Sequence, residues 1–144
     1  MPDVYMSPTG SDGNTGLTAG SPVLTSSKVM TLLANAPGSE QNVYLRGGTY
    51  TSRMTFTNAK NGSDTGWITV RNYPGERAVI APTTGTTQFT WEYGIKCSGN
   101  YWRIIAETPS DRRDWSTYMI AVDAGRSEEH TSELQSRLHL VCRL

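Results

Sequence analysis

Short β-branched and aromatic runs, separated by Gly, Thr, Ser and Asn, fill most of this chain. That pattern predicts many short strands joined by turns. Val43-Tyr44-Leu45 is the first clear strand after a helix, and Tyr50 to Phe56 is the next. In Trp67-Ile68-Thr69-Val70-Arg71 the alternation sets Ile68 and Val70 on one face and Thr69 and Arg71 on the other. Ala78 to Ala81, Tyr93 to Cys97, Trp102 to Ala106 and Tyr118 to Asp123 continue the series. One segment differs. From Thr25 to Ala36, Val29, Leu32, Leu33 and Ala36 recur at helical spacing. Thr25 can cap this helix, Leu24 and Val29 occupy the positions of a hydrophobic staple, and Pro37-Gly38 stops it.

The apolar strand positions Val43, Ile68, Ile95 and Ile120 recur at about 25 residues, a solenoid-type period, and Ile80 and Ile104 echo the interval. A coil with several strands per circuit fits such a period. Each circuit, or rung, stacks on the next at about 4.8 Å and buries its inward face only against its neighbours. The predicted fold class is therefore all-β, a solenoid of rungs from about residue 43. The short helix at about 25–36 has the chemistry and the place to cap the first rung. A β-sandwich is the alternative, since it also uses many short strands. The repeat and the single leading helix favour the solenoid.

Charge is balanced, with 13 Lys and Arg against 13 Asp and Glu. Such balance argues against a nucleic-acid partner. No apolar run approaches the roughly 20 residues of a membrane helix. Met1-Pro2-Asp3 has neither a basic nor an apolar region, so no signal peptide is read before Tyr5. Both histidines, His130 and His139, lie near the C-terminus with Cys142. That region, Arg126–Leu144, resembles a translated sequencing adapter. Adapter DNA read in frame encodes Arg126 to Ser136 in order, and Leu140 to Leu144 continue the frame. A polar C-terminal helix with Leu134, Leu138 and Val141 on one side is the rival reading. Residues 126–144 are accordingly treated as a non-native tail, and 1–125 as one β-domain interrupted in mid-fold. This leaves no His and a single Cys97, which excludes an internal disulfide, a zinc site and His-based triads. Cys97 shares a face with Ile95 and reads as a small core residue. An interrupted stack also predicts an open strand edge, and with it poor folding or self-association.

Several motifs together resemble the right-handed parallel β-helix proteins of the pectate-lyase-like superfamily. The opening Val4-Tyr5-Met6-Ser7-Pro8-Thr9-Gly10-Ser11-Asp12-Gly13-Asn14-Thr15-Gly16 is similar to that family's N-terminal pattern. Ser21-Pro22 and the helix follow, then Pro37-Gly38 and Val43-Tyr44-Leu45-Arg46-Gly47-Gly48-Thr49-Tyr50. Asn61-Gly62-Ser63, Trp67-Ile68-Thr69-Val70 and Tyr73-Pro74-Gly75-Glu76-Arg77-Ala78-Val79-Ile80 complete the match. The sequence departs from the pattern at Ser39-Glu40-Gln41, at Ile104-Ile105-Ala106-Glu107, and in a charged insertion from Thr108 to Thr117. The resemblance implies a right-handed parallel β-helix with a short N-terminal capping helix. It also implies an extracellular or cell-surface bacterial protein, with an acidic polysaccharide as the parent's partner. The implied chemistry is β-elimination on a pectate-like polymer, with a Lys or Arg base and calcium as the parent's cofactor. The family's catalytic and calcium-binding residues sit on later rungs, so none is assigned within 1–125, and the fragment itself is expected to be inactive. A noncatalytic surface or adhesin-type β-helix, and a hydrolase or epimerase on the same scaffold, remain as alternatives.

Some local residues could still carry chemistry. Asp12-Gly13-Asn14 spaces oxygen ligands somewhat like a calcium loop, but lacks the other acids and reads better as a turn. Asp111-Arg112-Arg113-Asp114-Trp115 could meet an acidic sugar, although a solvated insertion is the favoured reading. Trp67, Trp91 and Trp102 could be sugar platforms or packing residues. Lys96 reads as an outward solubilising residue rather than a base, and Asn61-Gly62-Ser63 matches a glycosylation sequon.

Overall fold

The computed structural model describes residues 2–80 and 95–105 in full, and the backbone of two further strands at 120–122 and 139–142. Strand β1 (Val4–Met6) and helix α1 (Ser26–Leu32) come first. Then follow β2 (Gln41–Leu45), β3 (Gly48–Tyr50), β4 (Met54–Phe56), β5 (Ile68–Asn72) and β6 (Ala78–Ile80). The last four are β7 (Ile95–Cys97), β8 (Trp102–Ile105), β9 (Ile120–Val122) and β10 (His139–Cys142). Apart from one short helix, the described regular structure is all β.

The strands form three sheets, in the orders β1-β2-β5-β8-β10, β3-β6 and β4-β7-β9. From β2 to β8 the chain visits the first, second and third sheets in rotation. Every described pairing is parallel except β8 with β10. Parallel neighbours cannot be joined by a tight hairpin: β1 reaches β2 through α1, and from β2 to β8 each strand reaches its parallel neighbour through the other two sheets. An antiparallel β-sandwich would pair its strands differently.

The register corrects the sequence period. Val43 pairs with Val70, and Val70 with Ile104, whereas Ile68 pairs with Gln41 and Trp102. Ile95 and Ile120 pair with each other in the third sheet, where Ile95 also meets Met54. Ile80 belongs to the second sheet and Ile104 to the first. The 25-residue interval thus matches the register at Ile95 and Ile120. It puts Val43 and Ile68 in one sheet but two residues out of register, and links different sheets at Ile68–Ile95 and Ile80–Ile104. The connections differ in length, so the in-register interval is uneven, longer from Val70 to Ile104 than from Val43 to Val70. The predicted strand Tyr50 to Phe56 divides for the same reason: β3 ends one sheet and β4 begins another. Strand β1, only three residues long with Pro2 and Pro8 close on either side, escaped the alternation signal.

Helix α1 starts where expected. Thr25 is its N-cap, with Oγ1 accepting from the Lys28 N–H at 3.2 Å. Leu24 remains 43% exposed while Val29 is fully buried, so the helix does not seal Leu24 over as a staple would. The helix ends at Leu32, well before Pro37-Gly38. The residues that follow are claimed by stacked turns instead. Asn35 Oδ1 accepts the Asn61 N–H, and Asn61 Oδ1 accepts the Asn100 N–H, each at 2.9 Å. The Gln41 amide bridges the Ala34 N–H and the Pro2 carbonyl from a buried position. These bonds satisfy backbone groups that a longer helix would have used. Close stacking also fixes Gly66: a Cβ there would strike the Pro37 carbonyl and lie 2.7 Å from the Ser39 carbonyl oxygen.

The core fills the space between the sheets and under α1. Val4, Val43, Val70 and Ile104 form one fully buried column, and Leu33, Met54, Phe56, Ile95, Cys97 and Trp102 are among the other core residues. Phe56 and Trp102 stack with centroids 5.1 Å apart. The free edge expected on the last strand of the first sheet is occupied. Strand β10 lies antiparallel against β8, pairing Leu140 with Ile104 and Cys142 with Trp102. Within the tail, 139–142 is therefore a strand and not part of a helix.

Candidate functional site

Alternation sends every second side chain of the first sheet outward. The register then stacks them: Tyr5 beside Tyr44, Tyr44 beside Arg71, and Thr69 beside Arg103. Tyr73 follows β5 at the next outward position. Tyr5 and Tyr44 stack with centroids 5.4 Å apart and an interplanar angle of 23°. Tyr73 stands edge-on to Tyr44 at 5.7 Å, and the Arg46 guanidinium covers its ring at 4.8 Å. Burial and the nearby Asp3 raise the Tyr5 hydroxyl above its ordinary range, so this ring stays neutral. A second cluster lies on the same face. Trp67 meets Tyr101 edge-on at 5.4 Å, and Arg103 sits over the Trp67 ring at 4.5 Å. The residues of both clusters are half-buried.

Beside this strip is a polar pocket of about 490 Å³, lined by Ser7, Thr9, Asn14, Gly20, Arg46 and Glu76 among others. Arg46 and Glu76 form a two-pronged ion pair, Nε to Oε2 at 2.8 Å and Nη2 to Oε1 at 2.6 Å. Oε2 also accepts the Gly47 N–H at 2.7 Å, and Arg46 Nη1 donates to the Ala19 carbonyl. The Arg46 hydrogen bonds hold the Glu76 carboxyl below the ordinary range, and the same bonds raise Arg46. The pair ties the loop after β1 to the turns after β2 and β5. The Tyr50 hydroxyl lies 2.9 Å from the Met6 carbonyl and 2.7 Å from that of Arg46, anchoring the same junction from inside. A second pocket, of about 450 Å³, lies between the start of α1 and the β3–β4 turn.

The residues singled out from sequence scatter. Asp12 serves the fold: Oδ1 accepts the Leu24 and Thr25 N–H groups at 2.9 Å each, and Oδ2 accepts the Thr25 hydroxyl at 2.7 Å. It is a clamp on the helix start, in keeping with the turn reading. Trp102 is wholly buried, with Nε1 donating to the Lys60 carbonyl at 2.9 Å, so it is no sugar platform. Trp67 does reach the surface strip. Cys97 is buried, as its place beside Ile95 predicts, and Lys96 points to the half-buried side of β7. The Asn61 amide is engaged on both sides, Nδ2 donating to the Asn58 carbonyl and Oδ1 accepting the Asn100 N–H. Trp91 and Asp111–Trp115 lie outside the described residues. Among the described residues no group of three or more His, Cys, Asp or Glu is placed to hold a metal. No described helix is long and apolar enough to cross a membrane.

Tyr5, Tyr44 and Tyr73 were not flagged from sequence. A usable signal was present: Tyr5 and Tyr44 each sit between two buried apolar residues, and such a ring must face outward. Aligning the three required the strand register.

No family model matches this chain, and no curated protein matches it. A solved structure described as "Glycoside hydrolase" is similar, at 20% identity and a TM-score of 0.45. The match covers 55% of this chain, and the chain spans 14% of the length of that structure.

Proposed function

We propose that the chain is the opening of a right-handed parallel β-helix whose first sheet holds an acidic polysaccharide on its outward face. Parallel pairing in three sheets visited in rotation supports the coil. The observation that carries the binding reading is the strip of Tyr5, Tyr44, Tyr73, Trp67, Arg46 and Arg103 on one sheet face. Ring faces stack on the apolar sides of sugar rings, and guanidinium groups suit carboxylates. Strand stacking at about 4.8 Å lines these groups up across the sheet.

For the parent protein we infer a secreted, pectate-like lyase, on the strength of the motif resemblance. A base would remove the proton beside the uronate carboxylate, and the glycosidic oxygen would leave from the β position. Calcium would neutralise the carboxylate in that chemistry. The groups for these steps are proposed on rungs beyond the first 125 residues, with 126–144 read as adapter-derived. Sequencing the genomic locus past Gly125 tests that arrangement.

Binding is tested on the full chain by electrophoresis through gels containing polygalacturonate or a neutral galactan. Retardation is expected in polygalacturonate, and Trp67→Ala combined with Tyr44→Ala should weaken it several-fold, about 0.5–1.5 kcal/mol per lost ring contact. Equal mobility of the parent and the folded double variant would sink the reading.

A further inference from the structure

The pocket beside the strip offers chemistry that the strip does not. A guanidinium has five N–H donors and a carboxylate about four acceptor sites. Arg46 commits three of its donors, to both Glu76 oxygens and the Ala19 carbonyl. Glu76 accepts three bonds, two at Oε2 and one at Oε1. Two donors and one acceptor site remain, side by side, on side chains that are 28% and 30% exposed. The same pocket is lined by Thr9 and by Asn14, whose Nδ2 donates once, to the Pro22 carbonyl. Thr9 Oγ1 shares a hydrogen bond with Ser7 Oγ at 3.1 Å, which orients both hydroxyls.

The two charges cancel at the pocket wall. An anionic ligand would face the Glu76 carboxylate, and a cationic one would face Arg46. A neutral ligand bearing two adjacent hydroxyls meets neither penalty. One hydroxyl accepts from Arg46 while its neighbour donates to Glu76. A volume of about 490 Å³ lies within the range of small-molecule sites. We propose that this pocket is a binding site for a neutral sugar ring, recognised through a vicinal diol by Arg46 and Glu76. The site shares Arg46 with the acidic-polymer strip, where its guanidinium lies over Tyr73, but uses none of the strip's rings.

Gly20 supplies the test. It lines the pocket, a Cβ built there meets nothing within 4 Å, and its φ is not in the left-handed region. Gly20→Trp should therefore fill the pocket without straining the backbone. The full chain, labelled with nitrogen-15, is titrated with a neutral galactose disaccharide and, separately, with a digalacturonate. The neutral sugar should shift the Gly10, Gly20 and Gly47 amides saturably, with a dissociation constant of about 1–10 mM. Gly20→Trp should abolish those shifts, and Trp67→Ala should leave them unchanged. If Gly20→Trp loses its dispersed spectrum, Thr9→Tyr, at another lining position, takes over the blocking arm. The proposal is overturned if the neutral sugar gives no saturable shifts, if digalacturonate binds the pocket more tightly, or if the shifts survive in a folded blocking variant. Failure of the strip variants in polygalacturonate gels leaves this outcome untouched, so the two readings fail separately.

Discussion

Inner and outer columns of the first sheet share one register and do opposite work. Val4, Val43, Val70 and Ile104 face inward and are fully buried. One residue along each strand, Tyr5, Tyr44, Arg71 and Ile105 face outward and are half-buried. A strand shifted by one position would exchange the two sets. The inner column is therefore conservative in chemistry and fixes the register. The outer column is mixed in chemistry: two aromatic rings, the Arg71 guanidinium and Ile105.

The sharpest way to break the inner side is Trp102→Ala. It removes the Phe56 stack and the bond to the Lys60 carbonyl, and leaves a large void. A loss of about 3–5 kcal/mol is expected, read as a much lower denaturation midpoint. A smaller effect should come from Asp12→Asn, which weakens the clamp on the α1 cap. About 1 kcal/mol is expected near neutral pH. The Asp12 carboxyl is held below its ordinary range, chiefly by the Thr25 hydroxyl, with the Thr25 and Leu24 N–H groups adding to it. A depressed folded value contributes stability that is fully present above the unfolded value near about pH 4 and is lost as pH falls through the folded value. Asp12→Asn should accordingly flatten the acid limb of a melting-temperature profile below about pH 4. An unchanged acid limb would remove Asp12 from the account. The smallest stability effect belongs to the outer column. Tyr44→Ala should cost no more than about 1 kcal/mol by thermal melting, because it deletes half-exposed ring contacts and no core volume. A larger cost would mean that the strip serves the fold, and the two columns would no longer contrast.

Much of the architecture was legible in the residues. Seven β-branched and aromatic runs marked β2 and β4 to β9, with the end of β3 merged into β4, and Thr25 marked the helix start. The motif resemblance implied parallel strand pairing, which the first, second and third sheets show. The phase was not legible, because Val43 and Ile68 look equivalent in one dimension, yet Val43 pairs with Val70. Helix length failed for a similar reason. Asn35 and Gln41 compete for the backbone through partners distant in sequence, Asn61 and Pro2. The Arg46–Glu76 pair spans two turns, and nothing local in either turn announces it. Trp67 and Trp102 show the limit most plainly: both precede or begin strands, and only their offset from the buried column separates a surface ring from a core one.

The antiparallel seat of His139–Cys142 has a mechanical corollary. A parallel stack lengthens by adding each new strand at its growing end, and β8 is that end in the first sheet. A reversed strand bonded there acts as a stopper. Any polypeptide that carries the stack onward must first displace it, so occupancy of that berth and elongation of the first sheet are mutually exclusive.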